Sequence, residues 1–388
     1  MKASDMTNSG NIPRVYLLAS TLSTGGAERI VRALASGLPA YGFATHVLCL
    51  HAPGPVGTEI AELGIPFHSH VGGKRYNPLT LLRLVSIFRG NRGALLFSLD
   101  HHDAVFWGAI AAISAGIKRR VMSVHSTGLW AKGSSFSFSD RIVLPLYDRI
   151  VALANLHAGY LERKERINRK KISIINNGVD TNIFHPIESE YERNKRREAH
   201  DILPGSFVVT IVAALRPEKN HQMLIHSAAE IAKIRSNSTY LIVGDGEEAG
   251  KLQELVDELS LGGTVRFMGW RTDIAEILSI SDVSVLCSHP VVETFPLSVL
   301  ESMASGIPVI ATKVGALSEI ITDREEGILI PCGETRALTD ALLSLERNPG
   351  KGREMGRKGM KKVRERFSEE RMVRNYAKLF RDLIGEGE

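Results

Sequence analysis

Val283–Ser284–Val285–Leu286–Cys287 leads through a short connection to Glu293–Thr294–Phe295–Pro296–Leu297–Ser298–Val299–Leu300–Glu301. The chain then passes Ser302–Met303–Ala304 and Gly306 to reach Pro308–Val309–Ile310–Ala311. The first and last runs are short and apolar and read as buried strands. Pro296 suits the opening of a helix, because its fixed φ and missing N–H cost nothing there. The pattern carries that helix over Pro296–Ala304. A strand, a helix and a further strand of these lengths make a parallel βαβ unit.

The same alternation extends outward in both directions. Further strands are expected at Phe207–Ala213, Thr239–Val243 and Thr264–Phe267, with helices at His221–Lys233 and Glu247–Leu259. In the first half, strands are expected at Val15–Ala19, Thr45–Leu50, Ala94–Leu99, Arg120–Val124, Arg149–Leu153 and Ile172–Ile175. Helices Ala27–Leu38, Pro78–Arg89 and Ala104–Ala115 lie between several of them. The pattern restarts at Phe207, after the turn signals Asn177–Gly178 and His185–Pro186 and the charged stretch Ile187–His200. The fold class is therefore α/β, with two Rossmann-like βαβ domains facing a central cleft. The first spans 1–186, with Met1–Pro13 a loose tail, and the second 187–367. Residues 368–388 carry a last helix, Glu369–Ile384, with apolar and charged residues at helical spacing.

The chain has 388 residues, which at ~100–200 per domain favours two or three domains. It is 44% hydrophobic and 23% charged, the composition of a globular protein. The apolar charge-free stretch Ala104–Ile117 is shorter than the ~20 residues of a membrane span, and the longer charge-free stretch Ala33–Thr58 is broken by His, Gly and Pro. The polar N-terminus has no apolar core and does not read as a secretory signal. Cys49, Cys287 and Cys332 form no Cys-x-x-Cys pair, which disfavours a zinc finger, a redox pair or a disulfide framework. They suit a reducing cytosol as small buried hydrophobes.

Charge is uneven. Residues 1–190 hold 21 Lys/Arg and 13 Asp/Glu, so +8; the remainder holds 27 and 30, so −3, which together give the net +5. Lys118–Arg119–Arg120 and the run Arg163, Lys164, Arg166, Arg169, Lys170 and Lys171 sharpen the basic half. Aromatics do not interleave with these charges and no helix-turn-helix or RNA-binding signature occurs, so nucleic acid is disfavoured. Two readings remain: attraction to an anionic membrane surface at the cytoplasmic face, or a solvated face beside Glu162 and Glu165.

In open α/β sheets ligands bind at the carboxyl ends of the strands. Four loops there bear residues suited to chemistry. Ser23–Thr24–Gly25–Gly26–Ala27–Glu28 precedes a helix whose free N–H groups attract anions, and it is equally a tight turn. It lacks the G-x-G-x-x-G spacing of nicotinamide-cofactor sites. Ala213–Ala214–Leu215–Arg216–Pro217–Glu218–Lys219–Asn220 brings two cations to a strand end, which suits a diphosphate. Gly244–Asp245–Gly246–Glu247 reads as a connecting turn, with Glu247 in the first turn of the next helix. Phe267–Met268–Gly269–Trp270 ends a strand, where a flat base or core packing would each fit. In the fourth loop Glu293 and Glu301 stand eight apart, and Glu301 falls among apolar helix positions. A carboxylate there can accept two hydrogen bonds, as a ribose diol offers. His125 follows a strand and is expected to point into the cleft; His101 and His102 follow another strand, where a satisfied structural role is the expectation.

Taken in order, these motifs resemble the GT-B fold and, within it, retaining glycosyltransferase family 4 (group 1). Carrying the resemblance are the Glu293-to-Glu301 spacing, the helix–Gly–Ile–Pro–Val–Ile–Ala–Thr run and Gly25–Gly26. Val124–His125–Ser126, Asn176–Asn177–Gly178–Val179–Asp180, Arg216-to-Lys219 and Gly244–Asp245–Gly246 complete it. The resemblance implies a second domain that binds a UDP- or GDP-sugar and a first domain that binds a glycan or lipid-linked glycan. It implies Glu293, Lys219 and His125 as catalytic residues, with Glu293 and His125 on the transferred sugar. Donor contacts would come from Gly25, Gly26, Arg216, Lys219, Gly244, Met268, Thr294, Phe295, Pro296, Leu297 and Glu301, the last holding the ribose hydroxyls. The last helix would cross back onto the first domain. No cofactor and no metal is implied, and the Asp-x-Asp metal motif is absent. The chain departs from the family at Ala213–Ala214, where Gly-Arg is usual, and at Thr294–Phe295–Pro296, where Gly-Phe-Gly is usual. The alternatives are a sugar-nucleotide epimerase on the same fold and a non-catalytic sugar-binding homologue.

Overall fold

The computed structural model describes residues 12–23, 25–73, 77–91, 93–99, 102–127, 136–234, 237–290 and 293–385. The expected tail before Ile12, and Thr24 and His101, lie outside the described residues. Among the described residues thirteen strands form two sheets. The first holds β1 (Arg14–Ala19), β2 (Ala44–Cys49), β3 (Phe67–His68), β4 (Leu95–Leu99), β5 (Arg119–Ser123), β6 (Arg149–Ala152) and β7 (Ile172–Ile174), in the order β3-β2-β1-β4-β5-β6-β7. The second holds β8 (Phe207–Val212), β9 (Ser238–Val243), β10 (Val265–Gly269), β11 (Val283–Leu286), β12 (Val309–Thr312) and β13 (Gly327–Ile330), in the order β10-β9-β8-β11-β12-β13. Neighbouring strands are parallel throughout. Both sheets carry helices on both faces, so β4, β9, β11 and β12 are buried along their whole length.

In each sheet the strand order reverses beside its first strand: β1 lies between β2 and β4, β8 between β9 and β11. Such a reversal opens a crevice at the carboxyl ends.

The chain returns to the first sheet at its end. The helix Glu369–Gly385 places Met372, Val373, Tyr376, Phe380 and Leu383 in the core shared with β1 and the helix Gly26–Gly37. Each such burial contributes about 1.5–3 kcal/mol. The crossing is stitched at Val179, whose N–H donates to Phe367 O at 3.0 Å and whose carbonyl accepts from Glu369 N at 2.9 Å. Gly178 permits this approach, since a Cβ there would lie 2.5 Å from Ser368 O.

Several boundaries move from their expected places. The charged stretch Ile187–His200 contains a helix, Glu190–Ala199, capped by Ser189 and anchored by Arg193 and Arg197 on Asp282. Glu165 is not a solvated neighbour of the basic run: it is buried, paired to Arg141 at 2.6 Å and bonded by Tyr160. Arg120 is structural too, donating to Leu146 O and Ile117 O. Cys49 and Cys287 are buried, Cys332 is half-buried, and all three are free thiols. Among the described residues no helix is long and apolar enough to cross a membrane.

Candidate active site

The floor of the second lobe is made where the loops after β8 and β9 meet. A Cβ on Gly244 (φ +141°) would lie 2.1 Å from Ala213 O, so only glycine lets the loops touch. Leu215 N then donates to Asp245 O at 3.0 Å. Gly244 thus shapes the floor through its backbone. Glu247 falls in the turn before the helix Ala249–Glu258 rather than inside it. Pro217 opens only a single 3₁₀ turn, Pro217–Lys219, and left-handed Asn220 (φ +50°) separates it from the helix His221–Ala232.

That turn aims Lys219 across at the loop after β11. Lys219 Nζ lies 2.6 Å from Glu293 Oε1, which also accepts from Ser288 Oγ. Glu293 is 5% exposed, so its charge is compensated inside the protein by the ammonium. Its carbonyl accepts from Ala316 N at 3.1 Å. Thr294 Oγ1 reaches the first lobe and donates to His125 O at 2.7 Å. Phe295 is buried, edge-on to Phe367, and its carbonyl accepts from Asn177 Nδ2 at 2.9 Å. Pro296 caps the helix Leu297–Ala304 instead of lying within it.

Glu301, in the second turn of that helix, is 6% exposed. Its Oε1 accepts from Arg29 Nη1 of the first lobe at 3.0 Å. Burial raises the Glu301 carboxyl above its ordinary value, and the Arg29 charge opposes part of that rise. Beside this pair Gly26 faces Leu297, where a Cβ would sit 3.4 Å from Leu297 Cδ1. Gly25 precedes the helix, and the space beside it is filled by the Glu28 carboxylate.

His125 follows β5, with Nε2 2.9 Å from Ser123 Oγ. Ser123 in turn meets Tyr376 OH at 3.1 Å, so the returning helix braces the strand end that carries His125. His102 opens the helix His102–Ala115.

The structure therefore joins Lys219 to Glu293, Thr294 to His125, and Glu301 with Gly26 and Leu297 to the first lobe. Two expected donor residues stand apart. Met268 lies inside β10, which runs on to Gly269, and packs on the core. Arg216 is 62% exposed along its side chain and lies 4.0 Å from Glu218 of its own turn. Ser288 and Arg29 were not singled out by sequence reasoning. Each has a local signal: Ser288 follows a strand directly, and Arg29 follows the two glycines by three residues. No group of three or more His, Cys, Asp or Glu suited to a metal occurs among the described residues.

Comparisons with known proteins complete this geometry. The model for glycosyl transferases group 1 matches residues 192–362, and that for Glycosyltransferase Family 4 matches residues 24–183. The chain belongs to this family of GT-B glycosyltransferases. It is 27% identical over 265 residues to N-acetyl-alpha-D-glucosaminyl L-malate synthase of Bacillus anthracis, covering 68% of each chain. It is 29% identical over 284 residues to the Escherichia coli UDP-Gal:alpha-D-GlcNAc-diphosphoundecaprenol alpha-1,3-galactosyltransferase, covering 68% of this chain and 72% of that protein. Anabaena HepE, solved in complex with UDP-glucose, superposes with a TM-score of 0.83 over 95% of this chain and 99% of that one, at 22% identity. The two Rossmann-like domains expected from the strand–helix alternation are thus those of the GT-B fold.

Proposed function

We propose that the protein is a retaining hexosyltransferase that moves a sugar from a UDP- or GDP-sugar to a glycan or lipid-linked glycan in cell-surface polysaccharide assembly. The single observation that supports this most is the Lys219–Glu293 pair, set at the strand reversal of the second lobe beside Thr294, which reaches the first lobe. When a nucleoside diphosphate departs from an anomeric carbon, negative charge grows on its phosphate and positive charge on the sugar. Lys219 supplies a preorganised cation for the first, with Arg216 able to swing in from the rim. Glu293 carries a buried carboxylate for hydroxyls of the transferred sugar, and Glu301 one for the ribose diol. His125 supplies the opposite wall.

In this reading the leaving phosphate takes the proton of the attacking acceptor hydroxyl, so no protein nucleophile is needed. The charge comes from side chains and N–H groups, so no divalent cation is needed either. The galactosyl transfer named for the Escherichia coli relative supports a hexose donor and a diphospholipid-linked sugar acceptor, and the N-acetylglucosaminyl L-malate product named for the Bacillus anthracis relative supports the hexose donor alone. The basic first lobe supports docking at an anionic membrane face.

The test incubates the protein with UDP-glucose, UDP-galactose, UDP-N-acetylglucosamine or GDP-mannose and a short-chain GlcNAc-diphospholipid, with and without EDTA. The expected result is transfer from one donor with an α-linked product, unchanged by the chelator. An inverted linkage, or isomerised donor without transfer, overturns it.

A further inference from the structure

The first lobe holds a second polar cluster, at the reversal of its own sheet. Ser20 follows β1, His51 follows β2, and Asp103 lies in the first turn of the helix after β4. His51 Nε2 lies 2.7 Å from Asp103 Oδ2, and Ser20 Oγ donates to Asp103 Oδ1. A carboxylate only accepts, so Nε2 carries the hydrogen, and in the neutral imidazole Nδ1 keeps its lone pair. The backbone fixes the same residue from two sides: His51 N donates to Ser20 O at 2.9 Å, and His51 O accepts from His70 N at 3.1 Å. Ser20 is buried and donates to the carboxylate rather than to the imidazole, so this is not a nucleophile–base array. The neighbouring Cys49 thiol is pushed up to about 11, mainly by burial, and stays neutral. Asp103 stays ionised, held below the usual carboxylate range by Ser20 and His51 against its burial. His51 alone of the three reaches solvent substantially, at 39% side-chain exposure, against 19% for Asp103.

This cluster lies at the carboxyl ends of β1, β2 and β4. The loop leaving β1 at Ser20 reaches Gly26, which rests on Leu297 of the second lobe. The cluster therefore sits at the same carboxyl-end edge of the first sheet as the loop that meets the second lobe. We infer that His51 receives a hydroxyl of the acceptor sugar on Nδ1, and that Asp103 is the positioning residue that sets its tautomer and orientation. This rests on the glycosyltransferase reading above.

The test uses full-length protein with the GlcNAc-diphospholipid and the donor that wild type accepts. It compares His51→Ala, His51→Gln, Asp103→Asn and the His51→Ala/Asp103→Asn double variant. His51→Ala is expected to raise the acceptor KM about tenfold, the loss of one hydrogen bond. Donor KM, acceptor-free donor hydrolysis and Tm stay at wild-type values. His51→Gln, which keeps a donor and an acceptor, recovers part of the loss. The double variant is no worse than His51→Ala, because Asp103 acts through the imidazole. Wild-type acceptor KM in His51→Ala, or donor KM rising in step with it, overturns the assignment. Wild-type protein that transfers nothing overturns the underlying glycosyltransferase reading and this one with it.

Discussion

The two lobes place polar clusters at equivalent points of the same architecture, yet they assemble them differently. In the second lobe, Ser288, Glu293 and Glu301 come from one continuous segment, and Lys219 completes them from the loop after β8. In the first lobe, Ser20, His51 and Asp103 come from three strand ends, with Asp103 lying 83 and 52 residues beyond its two partners. A site built on one loop and the helix after it leaves a fixed spacing in the chain. A site closed across three strands leaves none. The clusters also differ electrostatically: the second lobe sets a half-buried ammonium against a buried carboxylate, whereas the first steadies a carboxylate with a hydroxyl and an imidazole. Removing one member of a buried pair strands the other charge.

That contrast ranks the expected effects. Lys219→Ala should be the most damaging, lowering kcat by about 10²–10³-fold, as for one lost oxyanion donor. Acceptor KM should stay near wild type, which separates it from changes in the first lobe. Initial rates against both substrates decide this, and an unchanged kcat would break the equation of the second lobe with charge stabilisation.

Glu301→Gln should split stability from function. Its folded carboxyl titrates above the unfolded value of roughly 4.3. Below that value both states are protonated and burial carries no ionic cost; as pH rises through the folded value, the ionised carboxylate destabilises the fold. The neutral amide removes that cost, so Tm should rise at pH 7 and change little near pH 4. Donor KM should rise about tenfold, since one bond to the ribose is lost. Thermal melts across pH check the first part, and a lower Tm at pH 7 would refute it.

The smallest effect concerns how the lobes meet. Glu319 of the second lobe caps the helix Asn155–Arg163 of the first, accepting from Asn155 N at 2.9 Å, Asn155 Nδ2 at 2.8 Å and Leu156 N at 2.7 Å. The helix has no side-chain cap of its own. Glu319→Ala should cost about 1 kcal/mol, the value of a lost cap. It should widen the nucleotide-free radius of gyration by solution scattering while kcat/KM changes less than about twofold. An unchanged radius would remove Glu319 as a tie between the lobes.

Much of the architecture was legible along the chain, because buried parallel strands are written as apolar runs and their crossovers as helical patterns. Two-residue β3 was not, since Phe67–His68 is too short to carry a period. The helix Glu190–Ala199 was hidden by its charge: nearly all of its residues face solvent, and its one buried side chain is Arg197. Met268, an apolar residue at a strand end, is half-buried and packs against the core of the second lobe.

Residue type and spacing were enough to establish the alternation of strands and helices and the Glu293-to-Glu301 segment. They act over a few residues, where backbone geometry alone decides what stands next to what. The strand order, the grip of Arg29 on Glu301, the aim of Lys219 at Glu293 and the union of Ser20, His51 and Asp103 arise only on folding. Burying apolar faces on two sheets draws together groups remote in the chain, and the low dielectric between them makes each pairing count.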